Sequence, residues 1–276
     1  MNRIVLKCIA LLLITVSWHL TAAEDHVYTV GIVPQYGISK TYMIWQPILA
    51  EISERTGYKF KLVGSSSISK FEREVMAGAF DFAYMNAFHL VVSTKNSEYL
   101  PLFNDHGREL YGVLVVKKDS PITSPEDLAG QRVAFPSPNA LGASLKMRQE
   151  LTDVYGTTYV AEYVKSHDSV YLNVLMGVSA AGGGVYSTLN SQPREYRDRL
   201  RVIHETERLP PHPFSALNSV PEKVRQAVVD AFLDLNNTEQ GRNLLMKIPI
   251  RDIGVVTMAD YQPISNMGLD RFYISN

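Results

Sequence analysis

One cysteine in 276 residues, Cys8, is all the thiol this chain has. An internal disulfide and a cysteine-built metal site are excluded at once, and a cysteine nucleophile is excluded as well if Cys8 leaves with an N-terminal leader. Long apolar runs are equally scarce. None reaches the roughly 18 residues that a membrane-spanning helix needs, so a soluble protein is expected. Neither sign of charge dominates, with 27 basic and 28 acidic residues scattered along the chain. That removes the basic stripe of a nucleic-acid binder or of a membrane-surface protein. No G-x-S-x-G elbow, H-E-x-x-H helix or clustered carboxylate pair occurs. Gly142-Ala143-Ser144-Leu145 lacks the second glycine of an elbow, and Ser144 falls inside an expected helix rather than on a strained turn. A hydrolase is thereby the weaker class, and a non-enzymatic binding protein the stronger.

What is present begins at the N-terminus. Arg3 and Lys7 precede an apolar run from Ile9 to Val16, and Thr21-Ala22-Ala23 places small residues before a cleavage point. Residues 1–23 read as a secretory signal peptide. Its removal takes Cys8, Arg3 and Lys7 with it, leaving 25 basic against 28 acidic residues and a net charge of −3. About 250 mature residues, with 46% of the chain apolar, suffice for one large domain or two lobes.

Strand and helix patterns then alternate. Val27 to Pro34 reads as a strand, Tyr42 to Thr56 as a helix stopped by Gly57, Tyr58 to Val63 as a strand, Ile68 to Met76 as a helix behind Ser65-Ser66-Ser67, and Phe80 to Tyr84 as a strand. This β-α-β-α-β order implies a sheet with helical crossovers. Tyr84-Met85-Asn86 ends a strand where such sheets bind ligands, and a buried Asn86 amide needs partners. Leu110 to Lys117, Thr158 to Val164, Ala180 to Tyr186 and Arg201 to Glu205 read as further strands. The three glycines at 182–184 let backbone or a ligand come close. Ser166 caps a helix that opens on His167-Asp168-Ser169 and stops at Gly177. Leu209-Pro210-Pro211-His212-Pro213 is a rigid extended connection. The last third, Glu222 to Leu235 and Glu239 to Met246, reads as helical with little strand signal. The middle therefore forms its own β-α-β series, giving two lobes: 24–115 with 211–276, and an inserted 116–210. Two crossing segments join them, a layout suited to hinge closure.

The stretch from Gln131 to Met147, QRVAFPSPNALGASLKM, organises the expected site. A short strand, Val133 to Phe135, is stopped by Pro136 and Pro138. Ser137 and Asn139 are capping residue types, and Asn139 stands directly before the helix formers that start at Ala140. A helix N-terminus here would offer free N–H groups and a partial positive charge to an oxyanion. Asn139 matters in this reading less for its side chain than for the backbone it permits.

The segments FEREVMAGAFDFAYMN (71–86), SPEDLAGQRVAFPSP (124–138), SHDSVYLNVLMG (166–177) and LPPHP (209–213), in order along the chain, resemble the PhnD-like phosphate, phosphite and phosphonate substrate-binding proteins of ABC transporters. The resemblance implies a type II periplasmic binding protein fold, an α/β architecture with the ligand held between two lobes. It also implies a periplasmic location and delivery of a small oxyanion to an ABC permease, or presentation of the bound form to a membrane sensor kinase. His167 matches the family histidine that helps hold the anion. The family's hydroxyl-rich run at the helix N-terminus reads Asn139-Ala140-Leu141 here, and its acidic positions are occupied by Ser187 and His212, which argues against an aminoalkyl ligand. The candidate ligand-binding residues are Tyr36, Ser67, Tyr84, Asn86, Ser137, Asn139, Ala140, His167, Tyr186 and His212. Protonated histidines would add positive charge. No cofactor, metal or catalytic residue is expected, and the protein is expected to be a monomer that does not span a membrane.

Overall fold

Alternating apolar residues from Val27 make a strand that is buried along most of its length, and its neighbours in sequence supply the helices that cover it. The computed structural model describes residues 26–94, 97–248 and 250–275; the expected signal peptide lies outside them. In chain order the elements are β1 (Val27–Ile32), α1 (Ile38–Thr56), β2 (Lys59–Gly64), α2 (Ile68–Met76), β3 (Phe82–Tyr84), α3 (Ala87–Ser93) and β4 (Tyr99–Asp105). Then come β5 (Gly112–Lys117), β6 (Arg132–Phe135), α4 (Met147–Asp153), β7 (Val160–Tyr163), α5 (His167–Met176), β8 (Ala181–Val185), α6 (Tyr186–Asn190), α7 (Arg194–Arg197) and β9 (Leu200–Glu205). The chain ends with β10 (Phe214–Leu217), α8 (Glu222–Asn237), α9 (Glu239–Leu245), β11 (Ile253–Val255) and α10 (Gln262–Asn266). Among the described residues no helix is long and apolar enough to cross a membrane.

The strands form two mixed sheets. One has the order β11-β4-β10-β3-β1-β2, the other β7-β6-β8-β5-β9. In the first, β1 pairs parallel with β2 and β3, while β10 lies antiparallel between β3 and β4. In the second, β6 pairs parallel with β7 and β8, while β5 lies antiparallel between β8 and β9. The chain passes between sheets twice, at 106–111 and 206–213. The crossings touch through an isolated antiparallel bridge, Leu110 to Leu209. The expected division at 115/116 falls inside β5, all of which belongs to the second sheet.

Local signals explain most element ends. Gly57 and Gly177 stop α1 and α5 in the left-handed region, at φ 72° and 74°, where a side chain would be strained. The last third is not purely helical, contrary to its sequence pattern. Phe214–Leu217 and Ile253–Val255 are strands of the first sheet, four and three residues long. Runs that short carry no readable period.

The glycine triplet of β8 serves packing, not a ligand. A Cβ at Gly183 would meet the Ala143 carbonyl and the Phe135 ring, and one at Gly184 the Tyr171 hydroxyl. Absent side chains let α5 and the segment after Ala140 lie directly on the sheet.

Candidate functional site

Strand β6 delivers Pro136 to Asn139 into the space between the lobes, and a helix begins immediately after. Ala140 is its N-terminal boundary, and the first six helical residues, Leu141–Lys146, form a π turn that runs into α4. Both Ser144 and Leu145 donate their N–H to the Ala140 carbonyl, at 2.8 and 3.0 Å. The N–H groups of Leu141, Gly142 and Ala143 precede the first closed ring, and no acceptor among the described residues takes them. They are the orphan donors of a helix start. Gly142 brings this start against β5: a Cβ there would sit 3.2 Å from the Gly112 nitrogen.

These three residues line a cavity of about 20 Å³ between the lobes. Val33, Gln35, Ile68 and Asn86 close it from the first lobe, and His167 and His212 flank it. That is room for about one water molecule, so the lobes are closed on each other. Apolar contact is continuous across the seam, with Ala140, Leu141, Ala143 and Val185 joined to the core of the first lobe. Polar contacts cross it too: Ser69 Oγ to Ser137 Oγ at 3.3 Å, and Asn86 Nδ2 to the Asn139 carbonyl at 3.4 Å.

Burial controls the histidines. It lowers His167 to about 4, and it lowers His212 to about 3 with a further contribution from His167. Both are neutral near pH 7, so in this closed cavity they do not supply the positive charge that protonation would add. His167 Nδ1 lies 3.3 Å from Thr188 Oγ1, whose hydroxyl also reaches the Val185 carbonyl at 2.9 Å. Thr188 Oγ1 also lies 2.8 Å from the Tyr171 hydroxyl, so it can meet Nδ1 either as donor or as acceptor, and the neutral ring has one nitrogen of each kind. His212 is positioned by stacking on Tyr84, with ring centroids 5.5 Å apart.

The structure brings Asn86, Ala140, His167 and His212 to the cavity. Asn86 also caps α3, accepting the His89 N–H at 2.8 Å. Tyr36 stands beside it, partly buried, near Ser191 of the other lobe. Tyr84 is buried and packs on Trp45 at 5.1 Å, so it belongs to the core and reaches the cavity only through His212. Ser67 does not itself line the cavity, although Ile68, the next residue, does. Its hydroxyl caps α2 by accepting the Lys70 N–H at 3.2 Å. Tyr186 is 47% exposed and stacks on Tyr111 outside the cavity.

Asn139 departs most from expectation. It is not the helix cap. Its Nδ2 donates to Glu72 of the first lobe and to the Ile274 carbonyl, while its Oδ1 accepts the Ile274 N–H. The sequence reading stopped one residue short of the backbone donors: Leu141, Gly142 and Ala143 follow from its own helix-start argument, because orphan N–H groups belong to the residues after the cap.

Residues 30–261 match the family model described as the periplasmic substrate-binding protein of phosphonate ABC transporters. Among solved structures, a binding-protein component of an ABC phosphonate transporter from Pseudomonas aeruginosa superposes with a TM-score of 0.80 at 16% identity, covering 89% of this chain and 87% of that one. PhnD1 from Prochlorococcus marinus in complex with methylphosphonate gives 0.80 at 15% identity, covering 91% and 100%. The GluR0 ligand-binding core from Nostoc punctiforme in complex with L-glutamate gives 0.57 at 16%, covering 80% and 98%. The two-lobed architecture is that of the type II periplasmic binding proteins.

Proposed function

The chain belongs to the periplasmic substrate-binding proteins of phosphonate ABC transporters, a non-enzymatic family, and from that membership we propose that it captures a small phosphorus oxyanion between its lobes and hands it to an ABC permease. The observation that carries this reading is the set of orphan N–H donors at Leu141, Gly142 and Ala143, which line a closed interlobe cavity beside two histidines. Helix-start donors bind oxyanions without help from side chains, which accommodates the loss of the family's hydroxyl run. With its Nδ1 proton directed at Thr188, neutral His167 offers Nε2 as an acceptor, and an anion that brings its own proton, such as a hydrogen phosphonate, then suits the site better than sulfate. In the Prochlorococcus protein the bound molecule is methylphosphonate, the class proposed here.

A cavity the size of a water molecule cannot admit such an ion without opening. The crossings at 106–111 and 206–213 are the hinge on which the lobes part, and release to the permease follows the same motion. Export through residues 1–23 and action as a monomer complete the reading. Titration calorimetry of the purified protein with phosphate, phosphite, methylphosphonate and sulfate tests it. Micromolar or tighter binding of at least one phosphorus oxyanion, with sulfate weaker, is the expected result; binding of none of them overturns the proposal.

A further inference from the structure

The largest space along the lobe seam is not the closed cavity but a groove of about 490 Å³ beside it. It is built from the first crossing, 106–111, together with Tyr186, Ser187 and Asn190 from α6 and Arg251 from the first lobe. Cavity and groove share a wall. Val185 lines one and Tyr186, the next residue, lines the other. Gly142 of the cavity packs against the backbone of Tyr111 and Gly112, and Tyr111 lines the groove.

The groove carries two cations in its lining. Arg108 and Arg251 both line it, and no carboxylate among the described residues hydrogen-bonds to either guanidinium. Asp105 is the nearest, with its Oδ2 3.9 Å from Arg108 Nε, and its Oδ1 is spent on the N–H groups of Gly107, Arg251 and Asp252. Arg108 Nε is buried without a hydrogen-bond partner. Glu109, the carboxylate at the rim, pairs with Arg208 at 3.1 Å. Burial first, and then the charge of Arg251, depress Arg108 below its ordinary value, with Asp105 acting in the opposite direction. Arg108 also acts electrostatically on Tyr36 and Tyr84, the residues that stand next to the cavity.

We propose that this groove is the subsite for the substituent of the ligand, and that Arg108 and Arg251 select a substituent carrying a second anionic group, a carboxylate or a second phosphate. The inference rests on the oxyanion reading of the cavity. The phosphorus headgroup sits on the helix start; as the lobes part, the tail runs along the seam past Tyr111 and Val185 and ends on the two guanidiniums. A cationic tail is disfavoured at the same place, because Ser187 contributes no charge and both arginines repel it. Guanidinium forks suit either kind of second anion.

Calorimetry on the purified protein and on Arg251→Gln, an exposed position, with four probes tests this: methylphosphonate, phosphonoacetate, methylenediphosphonate and 2-aminoethylphosphonate. The wild-type protein should bind at least one of the two doubly anionic probes tenfold or more tighter than methylphosphonate, and the amino probe more weakly. Which of the two gains identifies the second group. Arg251→Gln should cut that preference to threefold or less while leaving methylphosphonate within twofold. Equal binding of all probes, or a preference that survives Arg251→Gln, overturns the subsite and leaves the cavity reading intact. Binding of no phosphorus oxyanion overturns both.

Discussion

Asn139 of the second lobe donates from one Nδ2 to both carboxylate oxygens of Glu72 in the first, at 3.1 and 3.0 Å, and both residues are buried. This contact exists only while the lobes are together, so it stabilises closure rather than the fold of either lobe. Asn139→Ser, which a capping role would tolerate, leaves the Glu72 carboxylate buried without that donor. The closed form should lose about 1.5–3 kcal/mol, the range for a hydrogen bond to a charged group. The check is small-angle scattering with calorimetry: the ligand-free variant should have a larger radius of gyration and bind its oxyanion roughly 10- to 100-fold more weakly, about tenfold per 1.4 kcal/mol. Unchanged radius and affinity would return Asn139 to the role of a plain loop residue.

A second tie comes from the C-terminal residues, which belong to neither sheet yet bind the second lobe. Arg148 donates to the carbonyls of Pro138 and Phe272, Gln149 Nε2 donates to the Met267 carbonyl at 2.6 Å, and Arg271 pairs with Asp153. Tyr273 packs on Phe88 at 5.7 Å and supports Glu72. Ending the chain after Phe272 removes the Ile274 contacts to Asn139 as well. Affinity should fall about tenfold, about 1.4 kcal/mol, while the melting temperature moves by only a few degrees. Loss of the cooperative melt would instead make this segment part of the core.

What was legible in the sequence was local. Ser166 and Gly177 bracket α5 through cap chemistry that spans a few residues, and Ser67 and Asn86 announce their helices in the same way. Asn139 misled because the same side chain that caps helices also makes good bridges, and its partners Glu72 and Ile274 lie 67 and 135 positions away. Tyr84 ended a strand at the ligand-binding edge, as expected, but Trp45 and His212 pack on its ring and it is buried. The histidine charges were open in the sequence for one reason: a pKa depends on burial, and nothing along the chain tells how tightly two lobes close.

Gly112 tests how close that packing is. A Cβ there would run into the Gly142 carbonyl, at the turn that presents the orphan N–H groups. Gly112→Ala should destabilise the protein by about 1–3 kcal/mol, as overpacking does, and each kcal/mol lowers the melting temperature by about 2–4 °C in a chain of this size. It should also weaken oxyanion binding, because the helix start is displaced. Gly130→Ala is the contrasting control. Its added Cβ meets nothing within 4 Å, so its cost comes only from φ +71° and should leave affinity untouched. Equal effects of the two variants on affinity would separate the Gly112 contact from the site.

Acid should loosen the molecule over a defined window. His89, His167 and His212 are held by burial at about 3, 4 and 3, below the ordinary 6.5. Between those values the unfolded chain binds protons that the native one refuses, so stability rises with pH across roughly 4 to 6.5 and is flat above. Glu72 works the other way. Burial raises its pKa, so its contribution is present at low pH and is lost as pH rises through the folded value. Three histidines outweigh one carboxylate, and the melting temperature of the ligand-free protein should fall as pH drops from 6.5 to 4. His89 lies outside the cavity, with its Nδ1 unpartnered. Its Nε2 lies 3.2 Å from Asn86 Nδ2, so His89→Gln, which keeps a polar group there, should shallow the slope with a smaller change in oxyanion affinity than His167→Gln. A slope that neither variant alters would mean that these histidines titrate normally and that the lobes are not closed over them in solution.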